Sequence, residues 1–181
     1  MTDYRRNRVP GGTYFFTVNL YDRRSQLLTA NIDLLRDAIR EVRAKAPFHI
    51  DAWVVLPDHL HSLWTLPDRD LDFSGRWQTI KTAFSKQVPE GEFRSASREA
   101  KGERGVWQRR FWEHTIRDDR DYAAHFDYIH FNPVKHGLVA GVADWPHSSF
   151  RRSVAMGFYP ADWAGGGMAL NDAREVLNGE R

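Results

Sequence analysis

Phe48-His49-Ile50-Asp51-Ala52-Trp53-Val54-Val55-Leu56, then Pro57-Asp58, then His59-Leu60-His61-Ser62-Leu63-Trp64-Thr65-Leu66 is the stretch whose reading decides the fold. Phe48, Ile50, Ala52 and Val54 alternate with His49, Asp51 and Trp53, the period of a half-buried strand. Pro57-Asp58 is a tight turn and His59 to Leu66 returns, so a β-hairpin is expected. Upstream, Pro10-Gly11-Gly12 marks a turn before a strand over Thr13 to Leu20. Asn31 or Asp33 then caps a helix with Leu34, Leu35, Ala38, Ile39 and Val42 at helical spacing, ended by Pro47. Downstream, Trp77, Ile80, Phe84 and Val88 form the apolar stripe of a helix from about Ser74. Residues 89–105 are charged and without period, a flexible loop. A fourth strand follows around Phe111 to Ile116, and Asp118 or Asp119 caps a third helix. Helices mixed with a strand hairpin imply an α+β fold, a ferredoxin-like or RRM-like antiparallel sheet with helices packed on it. One domain is expected over residues 1–155, with a C-terminal tail over 156–181, where Ala164-Gly165-Gly166-Gly167 reads as a loose start.

Composition narrows the chemistry. The 181 residues are 41% hydrophobic, with 7 Trp and 11 Phe, enough for a core without staples. No cysteine is present, which excludes disulfides, thiolate zinc sites and a cysteine nucleophile. No apolar run approaches the roughly 20 residues of a membrane span, and the N-terminus lacks the apolar core of a signal peptide, so a cytoplasmic location is expected. Net charge is only +2, but basic residues cluster at Arg5, Arg6 and Arg8, through 94–110, and at Arg151-Arg152. Such clusters neutralise phosphates, and each taken alone equally fits a solvated loop.

His59 and His61 are two apart in a strand and point to one face, where their ring nitrogens can share a divalent ion. Alone, the pattern is short and common and more often marks two strand histidines without a ligand. In the third helix Tyr122, Phe126 and Ile129 form the core-facing stripe, while Tyr128, Asn132, Asp121 and His125 fall on a flank. Tyr128 is therefore expected outside the core, and Pro133 is expected to end or kink the helix at Asn132. A phenol titrates near a pKa of about 10 and attacks a phosphodiester poorly at neutral pH unless a cation polarises the phosphate. Two imidazoles and an amide oxygen can hold that cation and leave its full charge to the phosphate.

His59-Leu60-His61 is a histidine–hydrophobe–histidine (HUH) motif, and Tyr128 stands in Tyr-Ile-His-Phe-Asn-Pro-Val-Lys-His-Gly. With Gly12-Thr13-Tyr14-Phe15-Phe16-Thr17 and the block from Trp107 to His114, these motifs resemble the REP-associated tyrosine transposases, a branch of the single-tyrosine HUH transposases. The resemblance spans about Val9 to Phe150. It implies an HUH endonuclease fold in which His59, His61 and Asn132 bind Mg2+ or Mn2+ and Tyr128 attacks single-stranded DNA, leaving a 5′-phosphotyrosine and a free 3′-hydroxyl. The substrates it implies are REP (repetitive extragenic palindrome) hairpins, read in part by Arg5, Arg6, Arg8, Gly12, Thr13 and Tyr14. Lys81, on the exposed side of its helix, and Arg109 and Arg110 are expected DNA contacts, and Trp107 and Trp112 are expected in packing more than in base stacking. It also implies a monomer, associated with the nucleoid. The alternative is a REP hairpin-binding module that has lost catalysis; a replication initiator or relaxase fits the Asn132-Pro133-Val134-Lys135 context less well.

Overall fold

In the computed structural model, which describes residues 6–165, β1 (Thr13–Asn19) forms where aromatic and β-branched residues run together. Its five central residues are all buried, because both faces of the sheet are covered. A short turn, α1 (Leu27–Ala30), leads into α2 (Ile32–Lys45). Asn31 does not cap α2: its amide nitrogen donates to the Leu27 carbonyl at 2.9 Å and closes α1 instead. The expected hairpin is β2 (His49–Val55) and β3 (His59–Thr65). α3 (Phe73–Gln87) starts one residue earlier than expected and is capped by Asp72, whose carboxylate accepts from the Gly75 N–H. α4 (Ala96–Glu99), β4 (Trp112–Thr115), α5 (Asp119–Lys135) and α6 (Phe150–Ala155) complete the order.

The strands pair in the order β2-β3-β1-β4, antiparallel throughout, the ferredoxin-like arrangement. Tyr14, Phe16, Val18, Leu60 and Trp64 face α2 and α3, where Trp64 and Trp77 stack at 4.2 Å. Phe15, Ala52, Val54 and Leu63 face α5. β2 departs from strict alternation: its register shifts between Ile50 and Ala52, with Asp51 as the extra residue of a bulge. Phe48 and Ile50 therefore pack under α2 and α3, whereas Ala52 and Val54 pack under α5.

Three expectations are corrected. Residues 89–105 are not a flexible loop, because arginines bind them to the body. Arg98 is 6% exposed and donates to the Arg104 and Trp107 carbonyls, while Arg104 pairs with Glu92 and reaches the Ser85 carbonyl. That pairing holds the Glu92 carboxyl down at about 2. Second, α5 does not end at Asn132 but runs through Pro133 to Lys135, since the ring removes one N–H but its fixed φ suits the helix. Third, Tyr128 and Asn132 are buried, at 2% and 0% exposure. The flank assigned to solvent faces the sheet, and the Tyr122–Phe126 side packs on Tyr159. The chain after Trp145 is ordered onto the body as well. The Ser149 N–H donates to the Trp53 carbonyl at 2.9 Å, and Tyr159 and Trp163 stack at 4.4 Å. Residues 166–181, which include most of the expected tail, lie outside the described residues.

His130, fully buried on α5, ties α6 to it through Ser149 Oγ at 2.9 Å. Burial lowers its pKa to about 4, so the fold favours the neutral ring over an unfolded chain that titrates near 6.5. Stability from this site is complete above about pH 6.5 and is lost as pH falls toward 4, because the unfolded chain takes up the proton first. Urea unfolding between pH 7 and 4.5 is expected to show stability falling by an amount on the order of 2–3 kcal/mol from this ring. The fall should shrink in His130→Gln; an equal fall in both proteins would assign it to other groups.

Candidate active site

α5 places its polar residues on one face. Relative to Tyr128, at 100° per residue, Lys135 stands about 20° to one side, and Asp121, Asn132 and His125 about 20°, 40° and 60° to the other. Four of the five are buried against the sheet, and Lys135 lies at the exposed end. Opposite them, β3 presents His59 and His61 on the same face, with ring centroids 5.0 Å apart, while Leu60 turns into the other core. The Tyr128 ring meets the His61 ring edge-on at 5.3 Å and the Phe15 ring at 5.9 Å. The nucleophile candidate and the paired imidazoles thus meet within a single chain.

Both histidines are oriented through Nδ1. Asp58 Oδ1 lies 2.8 Å from Nδ1 of His59, and Thr17 Oγ1, the cross-strand partner, lies 2.9 Å from Nδ1 of His61. On those tautomers Nε2 is the coordinating nitrogen of each ring, and the carboxylate behind His59 fixes its orientation. Burial opposes ionisation of Asp58, but the hydrogen bond and charge of His59 and the charge of Arg23 outweigh it and hold its carboxyl low. Arg23 Nε sits 2.8 Å from Asp58 Oδ2. Burial, then the charges of His59 and Lys135, push His61 well below the ordinary imidazole range, so it stays neutral as a metal ligand must.

Asn132 is the decisive residue. It is 0% exposed, and neither its Oδ1 nor its Nδ2 has a hydrogen-bond partner among the described residues. An unsatisfied buried polar group costs about 1–3 kcal/mol, so an amide in this state points to a ligand. Two neutral imidazoles and one amide oxygen suit a divalent cation with open positions. The residues fit the group.

A second set with metal-binding chemistry is His114, Asp121 and His125, whose donor atoms all lie within 4.8 Å of one another. The two rings stack only 13° from parallel at 4.6 Å, so their in-plane lone pairs run side by side instead of converging. Asp121 lies 2.8 Å from His114 Nε2 and accepts from the Arg117 N–H at 2.9 Å. Burial works against its ionisation, but those hydrogen bonds prevail and keep its carboxyl below the usual range. In this arrangement the group latches β4 to α5.

The expected DNA-reading residues are scattered. Arg5 lies outside the described residues. Arg6 donates to Ser74 Oγ, pairs with Glu113 and covers the Phe111 ring at 4.2 Å, all on the α3 side of the sheet. Tyr14 is core, its hydroxyl donating to the Val9 carbonyl. Gly12 and Thr13 stand at the other end of β1 from His59, about 20 Å away at 3.3 Å per residue. Lys81 is not on an exposed side: its ammonium donates to the Gln108 carbonyl at 2.6 Å, and burial, with the charges of Arg98 and Arg6, lowers it to about 8. Arg109 pairs with Glu103, and Arg8 and Arg110 are exposed. Trp107 is core at 5% exposure, and Trp112 packs at the edge of Phe15.

Sequence reasoning passed over Thr17, Arg23, Asp58, His136 and Lys135. The His136 ring lies 5.2 Å from His59, and Lys135 Nζ donates to the Tyr128 hydroxyl at 3.0 Å. Asp58 directly precedes the HUH motif and Lys135 stands seven residues after Tyr128, so their positions carried a signal; Thr17 depended on strand register.

No family model matches the chain. An Escherichia coli (strain K12) REP-associated tyrosine transposase is 51% identical over 181 residues, covering 100% of this chain and 98% of that one. A Haemophilus influenzae protein provisionally given the same family name is 48% identical over 167 residues, covering 91% and 94%. A solved structure described as a REP-associated tyrosine transposase bound to a REP hairpin superposes with a TM-score of 0.80 at 53% identity, covering 93% of this chain and 94% of that one. No described helix is long and apolar enough to cross a membrane. Half of all positions shared over the full length with one relative, and the same fold at 53% identity in another, place the chain among the REP-associated tyrosine transposases.

Proposed function

We propose that this chain is a metal-dependent single-strand DNA endonuclease and strand transferase acting on REP-type hairpins, with Tyr128 as nucleophile and His59, His61 and Asn132 as ligands to Mg2+ or Mn2+. The observation that carries the reading is the buried, unpartnered Asn132 amide one helical turn from Tyr128 and on its face. The hairpin comes from the solved relative, which was captured with a REP hairpin. When bound, the cation polarises the scissile phosphate and holds it for in-line attack. The chain's own residues do the rest. Asp58 and Thr17 fix the two imidazoles, Phe15 and His61 set the plane of the Tyr128 ring, and the Tyr128 oxygen attacks phosphorus. The product is a 5′-phosphotyrosine, and the released 3′-hydroxyl reverses the step or is replaced by another strand's. Among the DNA-contact candidates, exposed Arg8 and Arg110 are best placed for phosphates and Arg109 follows.

The test is incubation with a single-stranded REP hairpin labelled at its 3′ end, in Mg2+, Mn2+ or excess EDTA. A detergent-resistant protein–DNA adduct is expected in both metals and none in EDTA. Tight hairpin binding without adduct in either metal would make the chain a binding module, and a preference for duplex over hairpin would overturn the substrate.

A further inference from the structure

We infer that Lys135 is a further catalytic residue, an ammonium donor to the oxygen of Tyr128 that stabilises the charge appearing there as the DNA–tyrosine bond forms and breaks. The inference rests on the strand-transfer reading of Tyr128 and deepens it. Lys135 Nζ lies 3.0 Å from the Tyr128 hydroxyl and 4.5 Å from the centre of its ring. Seven residues on α5 bring the two side chains back to within about 20° of one another, with Asn132 between them. A lysine in the last turn of a helix ordinarily serves the carbonyls of the C-terminus. This one reaches back two turns to the phenol oxygen instead.

The surroundings make that contact effective. Phe15 and His61 wall the phenol ring, which is 2% exposed, so a charge on its oxygen is poorly hydrated and a fixed donor there counts for more than in water. Lys135 is itself exposed, so the same ammonium can meet a phosphate arriving from solvent. In the forward step the bond from the Tyr128 oxygen to phosphorus forms as the bond from phosphorus to the 3′-oxygen breaks, and the phenolic proton ends, through solvent, on the 3′-hydroxyl. In the reverse step the 3′-oxygen attacks phosphorus, the tyrosine oxygen leaves, and a proton returns to it. Lys135 keeps its own protons in both directions and contributes a hydrogen bond and a charge.

The experiment compares the unaltered chain, Lys135→Gln and Lys135→Arg for the single-turnover rate of adduct formation and, separately, for hairpin affinity in EDTA. Lys135→Gln is expected to slow adduct formation by about 100-fold, the range for removing one donor to a developing anion. Hairpin affinity should stay within about threefold, the order expected for one phosphate contact at most, and Lys135→Arg should recover part of the rate. A trifluorotyrosine at position 128, whose oxygen bears negative charge more readily, should restore most of the rate lost in Lys135→Gln. A rate unaffected by Lys135→Gln, or lost only in step with affinity and not restored by fluorination, overturns the assignment and leaves the transferase reading standing. An unaltered chain that binds the hairpin and forms no adduct overturns both.

Discussion

Tyr128→Phe is expected to abolish the covalent adduct in Mg2+ and in Mn2+ while hairpin affinity and fold survive. The substitution removes one oxygen from a ring that keeps its contacts with Phe15 and His61. The hydrogen bond with Lys135 is lost, but that lysine is exposed and can return to water, so this bond accounts for about 0.5–1.5 kcal/mol of stability. No other described tyrosine replaces it. Burial raises the Tyr14 pKa, and its hydroxyl is committed to Val9. Tyr122 and Tyr159 are driven far up by burial and by the carboxylates of Asp51 and Asp127 that they contact. Tyr21 is exposed and stacks with Arg98, on no metal-ligand candidate. A gel with the labelled hairpin reads the result; an adduct persisting in Tyr128→Phe would move the nucleophile elsewhere in the chain.

Asn132→Leu should separate stability from activity. Leucine matches the amide in size, is the better helix former, and removes two buried polar atoms that have no partner among the described residues. Denaturant unfolding in EDTA is therefore expected to show a gain of about 1–3 kcal/mol. The same protein should form no adduct, and added Mn2+, which is expected to stabilise the parent by mass action, should no longer shift its unfolding midpoint. A loss of stability in EDTA would mean that the amide is satisfied inside the fold and is not held for a ligand.

The sheet and α5 were legible because their signals are local: the alternating run before Pro57, the aromatic run of β1 and the acidic cap of α5 all act within a few residues. What escaped depended on contacts distant in sequence. The bulge at Asp51 leaves the apolar pattern looking regular, yet it sends Ile50 and Ala52 to different cores. Tyr128 looked like a flank residue because its helix was taken to have one buried side; Tyr159 and Trp163, from beyond residue 155, cover the second. The basic run through 94–110 suggested a phosphate surface, but Arg98 and Arg104 are spent on internal carbonyls and on Glu92. Of the site, His59, His61, Tyr128 and Asn132 could be read from motif and spacing. Asp58 and Lys135 carried a positional signal that was passed over, and Thr17 required the strand register.

The attachments of α5 carry one more meaning. Asp118 and Asp121 fasten its first turn to itself and to β4, Tyr159 grips Asp127 at its middle, and Ser149 holds His130 further on. None of these residues is a candidate for touching DNA, yet together they set the axial register of the helix. Advancing α5 by a single residue would rotate it by about 100° and carry Tyr128 off the histidines altogether. The alignment of the candidate nucleophile and the imidazoles is thus stored as in a lock whose tumblers lie along the whole bolt, and a worn tumbler near either end is expected to leave the protein folded but unable to turn.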